Sequence, residues 1–239
     1  MKSLVVLSGG MDSTVALCEA FVNSDVEAIS FNYGSKHNDA EFGRARATCQ
    51  SMKVPHIRVD LPFINTLFKS DLLKSGGKIP EGHYEAPTMK KTVVPFRNGI
   101  MLSIAAGYAE SIGAEQVVIG NHFGDHAVYP DCRKAFIEPM QQAIASGTYA
   151  EIKLHSPFME WTKADICTYG HRLGVDFSMT YSCYNGGPVH CGRCSTCVER
   201  IEAFVVSETP DPTEYMDREF ALKVIKEHEI EKFTGKGRG

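Results

Sequence analysis

An apolar run, Leu4-Val5-Val6-Leu7, stops at Ser8-Gly9-Gly10 and gives way to Met11-Asp12-Ser13-Thr14 and a helix carried by Val15, Leu17 and Phe21. This stretch constrains the fold more than any other in the chain. Four consecutive apolar residues without alternation describe a strand buried on both faces, as in a parallel sheet. Adjacent glycines let the backbone turn sharply and approach a ligand closely. A helix opening there aims its free N–H groups and the positive end of its dipole back at the turn, which makes an anion site. A Walker A loop needs Gly-Lys-Ser/Thr and is absent. The dinucleotide fingerprint G-x-G-x-x-G is absent too. An ordinary strand–turn–helix with Asp12 or Ser13 as N-cap is the plainer alternative. The hydroxyls of Ser8, Ser13 and Thr14 beside two glycines favour a phosphate site.

The pattern continues. Residues 27–34 read as a second strand ending at Tyr33-Gly34. Residues 38–53 carry Ala40, Phe42, Ala45, Ala47 and Met52 among charges, as an amphipathic helix does. Residues 56–60 form a third strand, closed by Pro62. This β-α-β-α-β alternation predicts an α/β fold with a parallel sheet and right-handed crossovers. Ligands in such sheets sit beyond the carboxyl ends of the strands, where Ser8–Ser13 and Tyr33-Gly34 fall. Residues 63–95 are loop-like and long for a plain connection; a mobile lid or substrate loop and a disordered insertion are equally open readings.

Ile100 to Ile112 is apolar nearly all round and reads as a core helix, with Asn98 as its cap. Arg97 just ahead of it stands where phosphate could be met, or is a surface arginine. Residues 116–120 form a fourth strand with Asn121 at its ligand-side end. His122 and His126 stand four apart, but Gly124 between them argues against a helical metal pair, so they read as solvated loop histidines. Asp131 either caps the helix from Lys134 to Ala145 or meets a polar ligand edge. Residues 152–157 read as a last strand. Thr162 is a good N-cap for the next helix, and Lys163 lies in its first turn, where a cation is locally unfavourable. That misfit suggests a phosphate partner; an exposed lysine is the alternative.

Cys183, Cys191, Cys194 and Cys197 are spaced C-x7-C-x2-C-x2-C on a Gly/Pro-rich knuckle. Four thiolates in this arrangement are the recipe for a closed tetrahedral zinc site with a structural role. An iron–sulfur cluster uses the same ligands, but its usual spacings are not matched. Cys18 and Cys49 fall within helices as core residues. Helices follow from Cys197 to about Val206 and from Phe220 to Ile230, and residues 235–239 read as a floppy tail. With 239 residues, a net charge of −4 and 43% hydrophobic content, the chain suits one α/β domain with an appendage and not a general polyanion binder. Met1 leads straight into the first strand and no apolar run is long enough to span a bilayer, which predicts a cytoplasmic protein without membrane contact.

Ser-Gly-Gly-x-Asp-Ser over 8–13 resembles the PP-loop of the N-type ATP pyrophosphatases. Together with Val-Pro-Phe-Arg-Asn over 94–98, Tyr-Pro-Asp-Cys-Arg over 129–133 and the cysteine knuckle, the chain resembles the QueC family of queuosine biosynthesis, the 7-cyano-7-deazaguanine synthases. The likeness runs through nearly the whole chain in the same order. It implies a Rossmann-like parallel sheet flanked by helices, adenine nucleotide alpha hydrolase-like, over 1–175, and a small C-terminal zinc-binding helical subdomain over 176–239. It implies that Leu7, Ser8, Gly9, Gly10, Met11, Asp12, Ser13, Thr14, Val15, Ala16 and Leu17, with Arg97 and Asn98, bind ATP. Asp12, Ser13, Arg97 and Lys163 are the candidate catalytic residues, with Asp12 placing Mg²⁺ or orienting the loop. Tyr33, Gly120, Asn121, Tyr129, Asp131 and Arg133 are the candidate substrate contacts, and the four knuckle cysteines hold Zn²⁺. The family often has Ser-Gly before Tyr-Pro-Asp-Cys-Arg; this chain has Ala127-Val128, and its loop 121–126 also departs from the common form.

The implied chemistry is attack of a carboxylate on the α-phosphate of ATP, release of pyrophosphate, and displacement of AMP by ammonia. A second activation, at the amide oxygen, leaves a nitrile. The implied partners are 7-carboxy-7-deazaguanine, ammonium and ATP, with a homodimer and no direct nucleic-acid contact. Two other classes compete: a PP-loop enzyme that adenylates a tRNA base for thiolation or a related change, and a non-catalytic nucleotide-binding protein.

Overall fold

The computed structural model describes residues 1–234, with side chains through 230; the tail expected at 235–239 lies outside the described residues. Five strands form one parallel sheet in the order β3-β2-β1-β4-β5: β1 (Lys2–Val6), β2 (Asp25–Asn32), β3 (His56–Asp60), β4 (Gln116–Val118) and β5 (Lys153–His155). Central β1 pairs Val5 with Ala28 on one side and with Val118 on the other. Its residues alternate between the two cores: Leu4 packs with Ile29, Leu102 and Val117, and Val5 with Val15, Leu17 and Phe158. Burial on both faces is why this strand is apolar without a break.

Helices α1 (Met11–Asn23) and α2 (Asn38–Met52) connect the first three strands. They are followed by the short α3 (Pro62–Leu67), then by α4 (Arg97–Ser111), α5 (Lys134–Gly147) and α6 (Lys163–Arg172). The chain leaves β3 at one edge and returns beside β1 as β4. The switch point therefore lies between β1 and β4, and the crevice beyond their carboxyl ends is the ligand side. Gly120 just after β4 lies so close to the first turn of α1 that a Cβ there would stand 2.9 Å from the Asp12 carbonyl oxygen.

The knuckle leads into α7 (Ser195–Val206) and α8 (Arg218–Thr234). Phe204 of α7 packs edge-on to Phe177 at 5.2 Å, within the core shared by α1 and α6. Among the described residues no helix is long and apolar enough to cross a membrane.

Two caps differ from expectation. The residue ahead of α4 is Phe96, in the left-handed region at φ 52, and Asn98 lies inside the first turn. The Phe96 ring folds over Gly99, where a Cβ would collide with it. The Asn98 N–H instead donates to Asp131 Oδ2 at 2.8 Å, so Asp131 closes α4 and not α5. Thr162 does cap α6, in a reciprocal box with Asp165.

Candidate active site

Gly9 takes φ +96, and a Cβ on it would collide with the Glu41 carbonyl oxygen, so glycine is required where β1 turns into α1. The hydroxyls expected to hold phosphate brace the loop: Ser8 Oγ accepts from the Gly10 N–H at 3.0 Å, Ser13 Oγ from the Ser8 N–H at 3.2 Å, and Thr14 Oγ1 donates to the Gly10 carbonyl at 2.8 Å. No side chain caps α1 at Gly10. Its first N–H groups are left facing the crevice, the arrangement an anion needs. Leu7, Ser8, Gly10, Met11, Asp12 and Ser13 line the cavity. Thr14, Val15, Ala16 and Leu17 are buried behind them.

On one side of this cup lie Arg97 and a group of aromatic rings. Arg97 Nη1 donates to Tyr33 OH at 3.2 Å, and the guanidinium stands 5.7 and 5.9 Å from the Tyr33 and Tyr129 ring centroids. Tyr129 OH and Tyr184 OH share a hydrogen bond of 2.8 Å. Burial pushes the Tyr33, Tyr129 and Tyr184 hydroxyls up, so all three remain protonated. Beneath them Glu41 Oε2 meets His37 Nε2 at 3.4 Å. Burial lifts the Glu41 carboxyl to about 8, against the opposing pull of Arg97. Burial, with Arg97 in support, lowers His37 to about 3.

On the other side is a charged group built from His122, Lys163, Asp12, Asp125 and Glu199. His122 is not a solvated loop histidine: it is 0% exposed. Its Nδ1 accepts from the Gly124 N–H at 3.1 Å, and a Cβ on Gly124 would stand 2.8 Å from its ring. Gly124 thus lets the imidazole fold under the turn over 123–127. Because Nδ1 accepts, Nε2 carries the proton. It faces Asp125 Oδ2 and Glu199 Oε1 at 3.7 Å and Asp12 Oδ2 at 3.9 Å. Lys163 is neither exposed nor free: it pairs with Asp12 at 3.2 Å and Glu199 at 2.7 Å. Burial alone would depress it, but Asp12 and Glu199 overcome that and keep it charged.

Among the expected substrate contacts, Tyr33, Gly120, Asn121 and Tyr129 line the cavity, and Asp131 and Arg133 do not. Asn121 donates to the Cys132 carbonyl at 2.9 Å and accepts from Ser156 at 2.6 Å. Arg133 is exposed and donates to the His126 carbonyl at 2.8 Å. Sequence reading missed Glu41, Tyr84, Tyr184 and Glu199, all in the wall. Nothing in the sequence singled out Glu199, which stands among other charges in Val198-Glu199-Arg200-Ile201-Glu202. For His122 the signal was the His-x-x-Asp capping pattern over 122–125.

The sulfurs of Cys183, Cys191, Cys194 and Cys197 all lie within 4.8 Å of one another, with Cys191 and Cys197 at 3.9 Å. A tetrahedron with Zn–S bonds of about 2.3 Å has edges of roughly 3.8 Å, so the set fits zinc. The Arg193 and Cys194 N–H groups each point at Cys191 Sγ at 3.3 Å, favouring a thiolate. Arg193 ties the knuckle to Glu81 and Asp217 at 2.8 Å each.

A five-stranded parallel sheet with an uncapped glycine turn at its switch point, an acid and a lysine beside it, and a four-cysteine knuckle define a Rossmann-like α/β protein with a candidate anion site and a candidate zinc site. The chain belongs to the family described as "Queuosine biosynthesis protein QueC", which matches residues 2–208. A 7-cyano-7-deazaguanine synthase of Porphyromonas gingivalis is 53% identical over 213 residues, covering 89% of this chain and 96% of that one. Another from Desulfotalea psychrophila is 49% identical over 217 residues, covering 90% and 99%. Among solved structures, the U34-tRNA thiolase NcsA of Methanococcus maripaludis overlays 97% of this chain and 66% of its own, at TM-score 0.46 and 14% identity.

Proposed function

We propose that this protein is an ATP-dependent ligase that converts 7-carboxy-7-deazaguanine and ammonia to 7-cyano-7-deazaguanine. Family membership supports the reaction, and one observation carries its location: the uncapped start of α1 faces a cavity that also holds Asp12, Lys163 and Arg97.

A carboxylate is a poor electrophile until its oxygen becomes part of a leaving group. Attack on the α-phosphate of ATP makes an acyl-adenylate and builds charge on the departing pyrophosphate. The N–H groups of the α1 first turn are suited to that charge, and they need no reorganisation as it develops. Lys163 has three N–H donors; two engage Asp12 and Glu199, and the third is available to a phosphate oxygen. Arg97 has hydroxyl and ring neighbours but no ion pair among the described residues, which suits an anionic group on the acceptor or the α-phosphate. The neutral tyrosine hydroxyls can hold the polar edges of a deazapurine. Ammonia then displaces AMP, and a second activation at the amide oxygen expels it to leave the nitrile. No enzyme nucleophile is required, and the work is positioning and electrostatics.

Asp12 Oδ1 is buried without a partner, a hard oxygen donor that fits Mg²⁺. A bound Mg²⁺ would neutralise charge on the phosphates. Zinc in the knuckle would be structural, because four thiolates leave no open position. The family resemblance supports a cytoplasmic homodimer. The test is incubation of the pure protein with ATP, Mg²⁺, ammonium and the 7-carboxy base. We expect pyrophosphate and a nitrile by mass; pyrophosphate release that needs a tRNA and yields no nitrile would overturn the reading.

A further inference from the structure

Glu199 lies two residues beyond Cys197, in the helix whose N-cap is Cys194. It is a carboxylate held almost out of water in a wall of the cavity, and no feature of the proposed chemistry requires it there. Its two oxygens divide their work. Oε2 accepts from Lys163 Nζ at 2.7 Å, and Oε1 faces His122 Nε2 at 3.7 Å. Lys163 in turn reaches Asp12 Oδ2 at 3.2 Å. His122, fully buried and with no hydrogen-bond partner on Nε2, points its proton among Asp12, Asp125 and Glu199. A continuous set of contacts therefore runs from the cysteine knuckle through α7 to the acid of the glycine turn.

We propose that Glu199 is a positioning residue through which the zinc knuckle sets the geometry of Lys163 and Asp12. The inference rests on the nucleotide reading of the cup. Four thiolates around one ion hold the first turn of α7 in place, and Glu199, one turn on, inherits that placement. By accepting one N–H of Lys163, Glu199 stops the ammonium from collapsing onto Asp12. Asp12 Oδ1 then stays unpartnered and open to a cation, and the third Lys163 N–H stays open to a phosphate. Without Glu199 the lysine would pair with Asp12 alone and withdraw both groups from the ligand. The knuckle is closed to substrate yet acts on the nucleotide site at a distance.

The test uses the full-length, zinc-loaded protein. Glu199→Gln keeps one zinc per chain by elemental analysis and binds ATP on the order of tenfold more weakly, with a higher Mg²⁺ requirement for that binding. Glu199→Asp recovers part of the affinity. A purely structural residue would lower the melting temperature or the zinc content without shifting the Mg²⁺ dependence of binding. Removing zinc from the wild type reproduces the loss of ATP affinity, and removing it from Glu199→Gln adds little. Should zinc removal unfold the chain, a double-mutant cycle of Glu199→Gln with Lys163→Met in zinc-loaded protein decides, and additive effects on ATP affinity overturn the proposal. It is also overturned if Glu199→Gln binds ATP with wild-type affinity and Mg²⁺ dependence. A wild type that binds no ATP would instead sink the nucleotide reading itself.

Discussion

Lys36 Nζ donates to the Leu73 carbonyl oxygen at 2.7 Å, and to those of Asp71 and Gly77 at 2.5 and 2.8 Å. One ammonium thereby gathers residues 71–77, which run between α3 and a short 3-10 helix over Pro87–Thr92. Burial draws the Lys36 pKa down, partly offset by Asp71. The segment over 63–95, open in the sequence between a lid or substrate loop and a disordered insertion, thus contributes to a wall of the site. Tyr84 and Met89 from it line the cavity.

Lys36→Met removes the only donor, among the described residues, to the Asp71 and Gly77 carbonyls, while that of Leu73 keeps the Gly76 N–H at 2.9 Å. Each hydrogen bond to a charged group contributes about 1.5–3 kcal/mol, and exposure of the loop to water recovers part of that. We expect a melting temperature several degrees lower, and trypsin cleavage after Lys74 or Lys78 that the wild type resists. Unchanged cleavage would mean that other contacts hold the loop.

Asp12→Ala removes the oxygen proposed to place a cation and frees Lys163 to turn wholly to Glu199. Asp12 is only partly buried, so the fold should survive. Pyrophosphate release should fall by about 10²-fold or more, the scale of losing one preorganised electrostatic contact. Circular dichroism and zinc content should match the wild type. A variant that turns over ATP normally would favour a non-catalytic nucleotide-binding protein.

The parallel sheet was legible because β1 is apolar without alternation, and the cup because two glycines and three hydroxyls stand together. The cysteine spacing needs only local geometry, so it too was readable. The rest depended on contacts distant in sequence. Asp131 closes α4 across 33 residues. Glu199 meets Lys163 across 36 residues, so nothing near either one announces the other. His122 looked solvated because its loop is polar, and only its packing under Gly124 shows otherwise. The hydroxyls of Ser8, Ser13 and Thr14, expected at phosphate, also bond within the backbone of this sharp turn, a second role that the sequence does not announce.

Glu41 gives the fold a specific pH dependence. Its carboxyl is raised to about 8 from an ordinary 4.5, with burial as the leading cause. Below 4.5 both folded and unfolded chains hold the proton. Between 4.5 and about 8 the unfolded chain releases it while the folded chain keeps it, so this group weakens the fold progressively as pH rises. Above about 8 that loss is complete. Glu41→Gln has no proton to lose, so the decline of melting temperature from pH 5 to 8 should flatten. Parallel pH curves for variant and wild type would show that Glu41 is ionised in the folded protein at ordinary pH.

The side chains of Arg200 and Asp211 are each 1% exposed, and their nearest approach is 3.7 Å between Nε and Oδ1. The guanidinium makes four hydrogen bonds: Nε donates to Thr213 at 3.0 Å, Nη1 to Thr180 at 2.8 Å and to Ser182 at 3.2 Å, and Nη2 to the Phe177 carbonyl at 2.9 Å. It lies 5.2 Å from the Phe204 ring centroid. One residue thus joins α7, the turn before the knuckle and the stretch that leads to α8. Arg200→Met would leave Asp211 charged, buried and without its cation, a change that costs about 3–5 kcal/mol. Lysine cannot repair it, because an ammonium has three donors and lacks the planar fork. Replacing both residues, as Arg200→Met with Asp211→Leu, removes the stranded charge as well. Urea unfolding should therefore show the double variant more stable than Arg200→Met alone. If the two substitutions simply add, the pair is not what anchors the knuckle, and the donors to Thr180 and Phe177 carry that role instead.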